Sequence, residues 1–357
     1  MPRNARSQSP GPVSAPRSST PSAAHPLFMP ADGVGPHVGR PPGVSRRQLL
    51  AAAVAALALP AASRRAHAQE TTAPQGVNAP QGAEPFVPRV GQSGKDVVWV
   101  PTPETLVQRM LRMAEVGPRD YVVDLGAGDG KIVIAAARDF GARSLGVEFN
   151  PDMVRLARSN ALAAGTGERA RIEQGDIFAF DFGTPTVVTM YLLPNLNLRL
   201  RPRLLGMAPG TRVVSHQFTM GEWEADEETL LENRSAYLWI VPANAGGNWK
   251  LNWRDPGGNG GMDATVEQTF QKIKGTARAG DLRISLRAPQ LYGDRIRFDL
   301  MDDKGVLRSF EGRVEGNTMR GTTLLRPAAG GASGDRAARG SGTFSATRSG
   351  EAPPIAS

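Results

Sequence analysis

The stretch YVVDLGAGDGK at 121–131 concentrates residues whose types and spacing could do chemistry. Gly126, Gly128 and Gly130 stand at alternate positions, directly after an apolar run that carries an acid, Asp124. A glycine-rich turn between a strand and a helix lets a ligand approach the backbone closely. Dinucleotides use the spacing G-x-G-x-x-G, which seats a pyrophosphate on the helix N-terminus. Here the spacing is G-x-G-x-G, and Asp124 would repel a pyrophosphate while suiting an ammonium group. Glu148 ends the next apolar run, 22 residues after Gly126, where a carboxylate can accept from both hydroxyls of a ribose. Asp176, in Gly175-Asp176-Ile177, ends the third, where an acid can accept from an adenine amino group. The three acids ask for an ammonium, a ribose and an adenine without a phosphate. The competing reading is a nicotinamide-dependent protein with an early acid, which the missing third dinucleotide glycine disfavours.

These residues need a frame that brings strand ends together. Strands are predicted at 121–125, 144–148, 171–174, 186–191 and 211–218, and helices at 131–139, 151–163 and 195–206. Asn150-Pro151 caps the second of these helices, and Thr102 with Pro103 starts an earlier one whose apolar stripe includes Leu106, Met110 and Leu111. Alternation of this kind predicts an α/β domain, a doubly wound parallel sheet with helices on both faces, over 96–243. After Ala243 the texture changes to short alternating runs split by turn signals such as GGNGG, YGD and DDKG. A small antiparallel β domain, a barrel or sandwich, is expected at 247–348, with a low-complexity loop at 327–341 and a disordered tail at 349–357.

A ligand with an ammonium, a ribose and an adenine but no phosphate is S-adenosylmethionine. DLGAGDGK, VEFNP and QGDIF, in this order and spacing, resemble the cofactor motifs of class I S-adenosylmethionine-dependent methyltransferases over roughly 97–242. That resemblance implies a Rossmann-like seven-stranded sheet, with Asp124, Gly126, Ala127, Gly128, Gly130, Glu148, Asn150, Asp176 and Ile177 holding the cofactor. VWVPTPETLVQRML ahead of the loop is also similar to the front segment of the mitochondrial lysine methyltransferases that act on ATP synthase and on the adenine nucleotide translocase. In those enzymes the segment closes over the cofactor, and their fourth strand ends in a proline-containing turn. Here that strand ends Met190-Tyr191-Leu192-Leu193-Pro194-Asn195, so Tyr191, Pro194 and Asn195 are the candidate catalytic residues. Tyr191 is placed to orient an amine or close the pocket, and Asn195 to accept a hydrogen bond. The C-terminal β domain has no counterpart in that family.

Charge and composition bound the rest. The formal charge is +8, but residues 1–68 hold eight of the 42 basic residues and one of the 34 acids. The remaining 34 basic and 33 acidic residues nearly cancel, so no nucleic-acid partner is expected. The chain has no cysteine, which excludes disulfides and thiolate chemistry, and His216 is its one histidine past the leader, so no metal site is expected. Residues 1–44 are predicted to be disordered; a start at Val44 or Met29 would put the signal that follows at the N-terminus. SRRQLLAAAVAALALPAASRRAHAQ, with Arg46-Arg47, a short apolar run and Ala66-His67-Ala68, predicts a twin-arginine signal peptide at 45–68. A polar linker follows at 69–95, and no transmembrane segment is expected beyond the signal's apolar run. The signal predicts a periplasmic or exported protein, with a cytoplasmic or signal-anchored one as the alternative.

Three further features carry plain structural readings. His216 reads as a hydrogen-bonded core residue, Trp223 and Trp239 as core or interface residues, and the acids of 222–228 as a solvated helix face. The expected activity is methyl transfer to an amine, a protein lysine first. The alternatives are a small-molecule acceptor, or an exported binding protein with a vestigial cofactor fold.

Overall fold

The apolar runs of the first half become strands, and the amphipathic stretches between them become helices, in a computed structural model that describes residues 86–303, 305–326 and 340–355. The extension at 1–44, the signal at 45–68, most of the linker and most of the 327–341 loop lie outside the described residues. The first half runs α1 (Glu104–Met113), β1 (Tyr121–Leu125), α2 (Lys131–Phe140), β2 (Arg143–Glu148), α3 (Pro151–Ala163) and β3 (Ala170–Gln174). It continues through β4 (Val187–Met190), α4 (Pro194–Leu205), β5 (Arg212–His216), β6 (Glu227–Leu231) and β7 (Arg234–Ile240). These seven strands form one sheet in the order β3-β2-β1-β4-β5-β7-β6, with β7 antiparallel to both of its neighbours.

The inner strands β1, β2, β4 and β5 are buried along most of their length, as strands covered on both faces must be. Side chains alternate across the sheet. Val122 therefore packs with α1 and α2 on one face, while Val123 and Leu125 pack with α4 on the other. The chain turns from β1 out to β2 and β3, then returns to β4 on the other side of β1. The crevice at the strands' C-terminal ends opens at that reversal.

Two local expectations are corrected. Thr102 does not cap α1: Pro103 holds the cap position without a side-chain bond, and the Thr102 hydroxyl turns inward, 3.0 Å from His216 Nδ1. The acids of 222–228 lie on no helix. Glu227 and Glu228 begin β6, an edge strand in which half-buried and exposed residues alternate, and Glu227 accepts from Arg109 at 3.0 Å.

The second half comprises β8 (Gly247–Asp255), β9 (Gly258–Thr269), β10 (Lys272–Ala279), β11 (Leu282–Ser285) and β12 (Arg287–Tyr292). It ends with β13 (Arg295–Met301), β14 (Leu307–Glu315), β15 (Thr318–Arg326) and β16 (Gly340–Ser349). All nine form one antiparallel sheet whose end strands, β11 and β12, are consecutive in the chain. β10 lies against β12, so the sheet curls nearly into a barrel. Side chains fill its interior: Phe310 stacks on Phe298 at 4.8 Å and meets Phe344 edge-on at 5.3 Å.

The tail expected at 349–357 is corrected up to Pro353, whose carbonyl accepts from Asn244 Nδ2 at 2.6 Å. Beside it Arg348 is buried over Trp249 and donates to the carbonyls of Asn244, Gly246 and Gly316. The backbone between the two sheets has carbonyls that need partners, and the end of the chain supplies them. Among the described residues no helix is long and apolar enough to cross a membrane.

Candidate functional site

A cavity of about 340 Å³ sits at the C-terminal ends of β1, β2, β3 and β4. Of the sequence-derived cofactor residues, Asp124, Gly126, Ala127, Gly128, Glu148, Asn150, Asp176 and Ile177 line it. Gly130 does not. Its φ of +82° makes it the left-handed residue before α2, and a Cβ there would meet Ala157 Cβ at 3.0 Å, so it lets α2 pack on α3. Gly126 and Gly128 also hold positive φ, +84° and +55°, which glycine adopts without strain. A Cβ on Gly128 would lie 2.7 Å from Trp99 Nε1, because the indole closes down on the loop.

The three acids differ in their surroundings. Asp124 is 3% exposed, and its carboxylate accepts from the Thr189 hydroxyl at 2.7 Å. Burial pushes its pKa up to about 7; the Thr189 bond pulls it down, and the charges of Asp129 and Glu148 push it further up. A buried carboxylate with so little compensation is suited to a cationic ligand group. Glu148 is pre-oriented: its two oxygens accept from the backbone N–H groups of Gly128 and Asn150, each at 2.9 Å. Asn150 caps α3 by accepting from the N–H groups of Asp152 and Met153. Asp176 accepts from Phe178 N at 3.0 Å and from Lys95 Nζ at 2.5 Å, and the Lys95 bond, ahead of the others, holds its carboxyl below the ordinary value.

An ammonium-bearing adenosine fits this wall, with a glycine loop open to backbone contact and acids at the ends of β1 and β2. A pyrophosphate does not fit. The cavity's lysines, Lys95 and Lys131, are engaged with Asp176 and with the Thr102 carbonyl (3.1 Å).

The ends of β4 and β5 make the other side. Tyr191 lines the cavity, with its ring centroid 3.8 Å from that of His216 and 6.2 Å from that of Phe218. His216 is fully buried, and burial lowers its pKa to about 4, so it is neutral near pH 7. Of the other two catalytic candidates, Pro194 is the first residue of α4 and Asn195 the second; both are exposed and neither lines the cavity. The helix phase turns Leu196, Asn197, Leu200 and Leu204 inward instead. Asn197 is fully buried and donates to the carbonyls of Phe218 and Thr219, at 3.3 and 3.2 Å. The i, i+4, i+8 spacing of Leu196, Leu200 and Leu204 is the signal that could pick it out.

The segment 91–99, read in part as linker, is a hairpin over the cavity. Gly91 N donates to Trp99 O, Trp99 N to Gln92 O and Gly94 N to Val97 O. Gln92 Nε2 contacts Met153 Sδ at 3.4 Å, and Lys95 sits 5.1 Å over the Phe149 ring. The hairpin is anchored where Thr102 meets His216 and Lys131.

Residues 124–227 match the ANTKMT methyltransferase domain. A protein-lysine N-methyltransferase of Saccharolobus islandicus (strain REY15A) is 44% identical over 151 residues, which is 41% of this chain and 94% of that protein. The ATP synthase C-subunit lysine N-methyltransferase of Mus musculus is 30% identical over 195 residues, 53% of this chain and 73% of that protein. The crystal structure of an RNA methyltransferase from Salinibacter ruber, in complex with S-adenosyl-L-homocysteine, is 50% identical and covers 40% of this chain and 94% of its own, with a TM-score of 0.39.

Proposed function

This chain belongs to the class I S-adenosylmethionine-dependent methyltransferases that carry the ANTKMT domain, and on that premise we propose that it methylates lysine side chains of protein. The observation that carries the lysine reading is the similarity to a protein-lysine N-methyltransferase over 94% of that relative's length. The bound cofactor supplies a methyl group on a sulfonium, already activated for displacement. Asp124 would hold the ammonium, Glu148 the ribose hydroxyls and Asp176 the adenine edge, with Ile177 against the ring.

The chain's own task is to deliver an uncharged amine and exclude water. Tyr191, Leu192, Leu193 and Phe218 give the acceptor end of the cavity an apolar lining, which favours the neutral form of a lysine. The amine leaves its proton with solvent at this mouth. Tyr191, fixed between His216 and Phe218, turns the lone pair inward. His216, neutral and packed on Tyr191, adds no positive charge that would oppose an arriving lysine.

The test is to incubate the full chain with methyl-labelled cofactor and cell lysate, and hydrolyse the labelled protein. Recovery of ε-N-methyllysine is expected. Label confined to small molecules or RNA would sink the reading. The signal read at 45–68 adds the proposal that the enzyme is exported by the twin-arginine route. A mature N-terminus at Gln69 in the periplasmic fraction is the expected result, and an uncleaved cytoplasmic chain would refute it.

A further inference from the structure

The loop 217–226 after β5 supplies the outer wall of the acceptor end, through Phe218. β7 holds both of its ends and its middle, where Gln217 N donates to Ser235 O, Asp226 N to Leu238 O and Trp239 Nε1 to Trp223 O, and two further sets of contacts fasten it. From α4, Asn197 holds the carbonyls of Phe218 and Thr219, and Arg201 Nη1 donates to Met220 O at 3.0 Å. From the second sheet, the β9–β10 turn lays Phe270 flat on Trp223, with 6.0 Å between ring centroids and 8° between planes. Gln271 Nε2 in the same turn donates to Glu224 O at 2.7 Å, and Lys272 pairs with the Glu224 carboxylate at 2.6 Å. The Arg201 guanidinium lies 5.3 Å over the Phe270 ring and so joins the two sets.

Phe270 itself is strained. Its φ is +50°, a left-handed conformation that bulky side chains rarely take. Strain of this kind persists only where the surroundings over-determine it. Here they do so: the ring is 4% exposed and belongs to the apolar cluster of the first sheet, with Met190, Leu196 and Trp239, though its backbone belongs to the second. Trp223 bridges back to Met220, two residues from Phe218.

We propose that Phe270 is a positioning residue for the acceptor: the second sheet inserts this side chain to hold loop 217–226, and through it holds Phe218 against Tyr191. The proposal rests on the reading that the acceptor enters at the ends of β4 and β5. It gives the C-terminal domain a role in turnover although none of its described residues lines the cavity.

Two variants of the full chain test it. Phe270→Gly removes the ring while accepting the left-handed backbone; Phe270→Tyr keeps the ring. Amide exchange across 217–226, affinity for S-adenosylhomocysteine, and label transfer to the lysate proteins that wild type methylates are measured together. In Phe270→Gly the loop amides exchange about tenfold faster. Label transfer falls about three- to tenfold, the change that the orientation of one aromatic pair carries. Affinity for S-adenosylhomocysteine stays at the wild-type value, and Phe270→Tyr restores both losses.

Wild-type exchange and wild-type transfer in Phe270→Gly would overturn the proposal, as would a loss of cofactor affinity equal to the loss of transfer. If wild type labels no lysine, the lysine reading fails alone and the exchange of 217–226 still decides. If Phe270→Gly does not fold, Gln271→Ala removes only the bonds from Gln271 Nε2 to Glu224 O and, at 3.5 Å, to Asp226 Oδ1. It should speed exchange of the same amides to a smaller degree, and unchanged exchange there would overturn the proposal.

Discussion

Replacing Asp124 by Asn keeps the shape of the side chain and its bond to Thr189 but removes the charge that the cofactor's ammonium would meet. A hydrogen bond to a charged group contributes about 1.5–3 kcal/mol, where a neutral one contributes about 1, so affinity for S-adenosylhomocysteine should fall roughly two- to thirtyfold. The pH profile is the sharper readout. With a pKa of about 7, wild-type Asp124 is ionised in most molecules at pH 8 and in few at pH 6. Affinity should therefore drop by up to about tenfold between those values and level off below them near the Asp124→Asn value, since a protonated carboxyl keeps only the neutral bond. At more alkaline pH it drops again, as the ligand's own amino group loses its proton. The acid limb should vanish in Asp124→Asn while the alkaline limb stays.

Stability moves the other way. The folded-state pKa lies above the ordinary 3.8, so this group's contribution is fully present below about pH 4 and is lost as the pH rises through 7. Three pKa steps set a ceiling on the order of 4 kcal/mol. Asp124→Asn should accordingly melt higher than wild type at pH 8, with the gap closing towards pH 4. Calorimetry and thermal melts across pH 5–9 measure both effects. A wild-type affinity flat from pH 8 to 6, or an acid limb that survives in Asp124→Asn, would refute the reasoning that burial has readied this carboxylate for a cation.

Other perturbations test the walls of the site and the seam between the sheets. Gly128→Ala places a methyl at φ +55° and against Trp99, so S-adenosylhomocysteine should bind more weakly; Trp99→Ala in the same chain should recover part of the loss, as titration calorimetry would show. Lys95→Met releases the hairpin 91–99 from Asp176, so the cofactor should dissociate faster in stopped flow while the melting temperature stays put. Arg348→Met leaves carbonyls of Asn244, Gly246 and Gly316 short of a donor, which should cost about 3 kcal/mol or more in denaturant unfolding without changing cofactor affinity.

What the sequence makes legible follows from the range of the contacts concerned. Asp124, Glu148 and Asp176 are readable because each stands where an apolar run ends, and the sheet then gathers those ends by a rule that needs no side-chain detail. The alternating texture after Ala243 likewise forces antiparallel strands, although only the meeting of β10 with β12 decides for a near-barrel. Thr102 reads wrongly for the same reason. A threonine before a proline is a good helix cap by local rules, but its hydroxyl finds a partner 114 residues away, and no local rule weighs that. Asn195 stands out in the sequence for its place beside the proline turn. Once Pro194 starts a helix, the 3.6-residue period decides which asparagine faces in, and it is Asn197. Phe270 stands in a run that reads only as a strand and a turn. Its positive φ and its seat on Trp223 come from two sheets meeting, and the pattern within either sheet carries no trace of that meeting. The cofactor end of the site is thus built from strand ends that the sequence announces, whereas the acceptor end is built from contacts between distant segments. A substitution at the acceptor end that looks neutral along the chain, such as Phe270→Gly in a turn, can therefore reach the reacting groups.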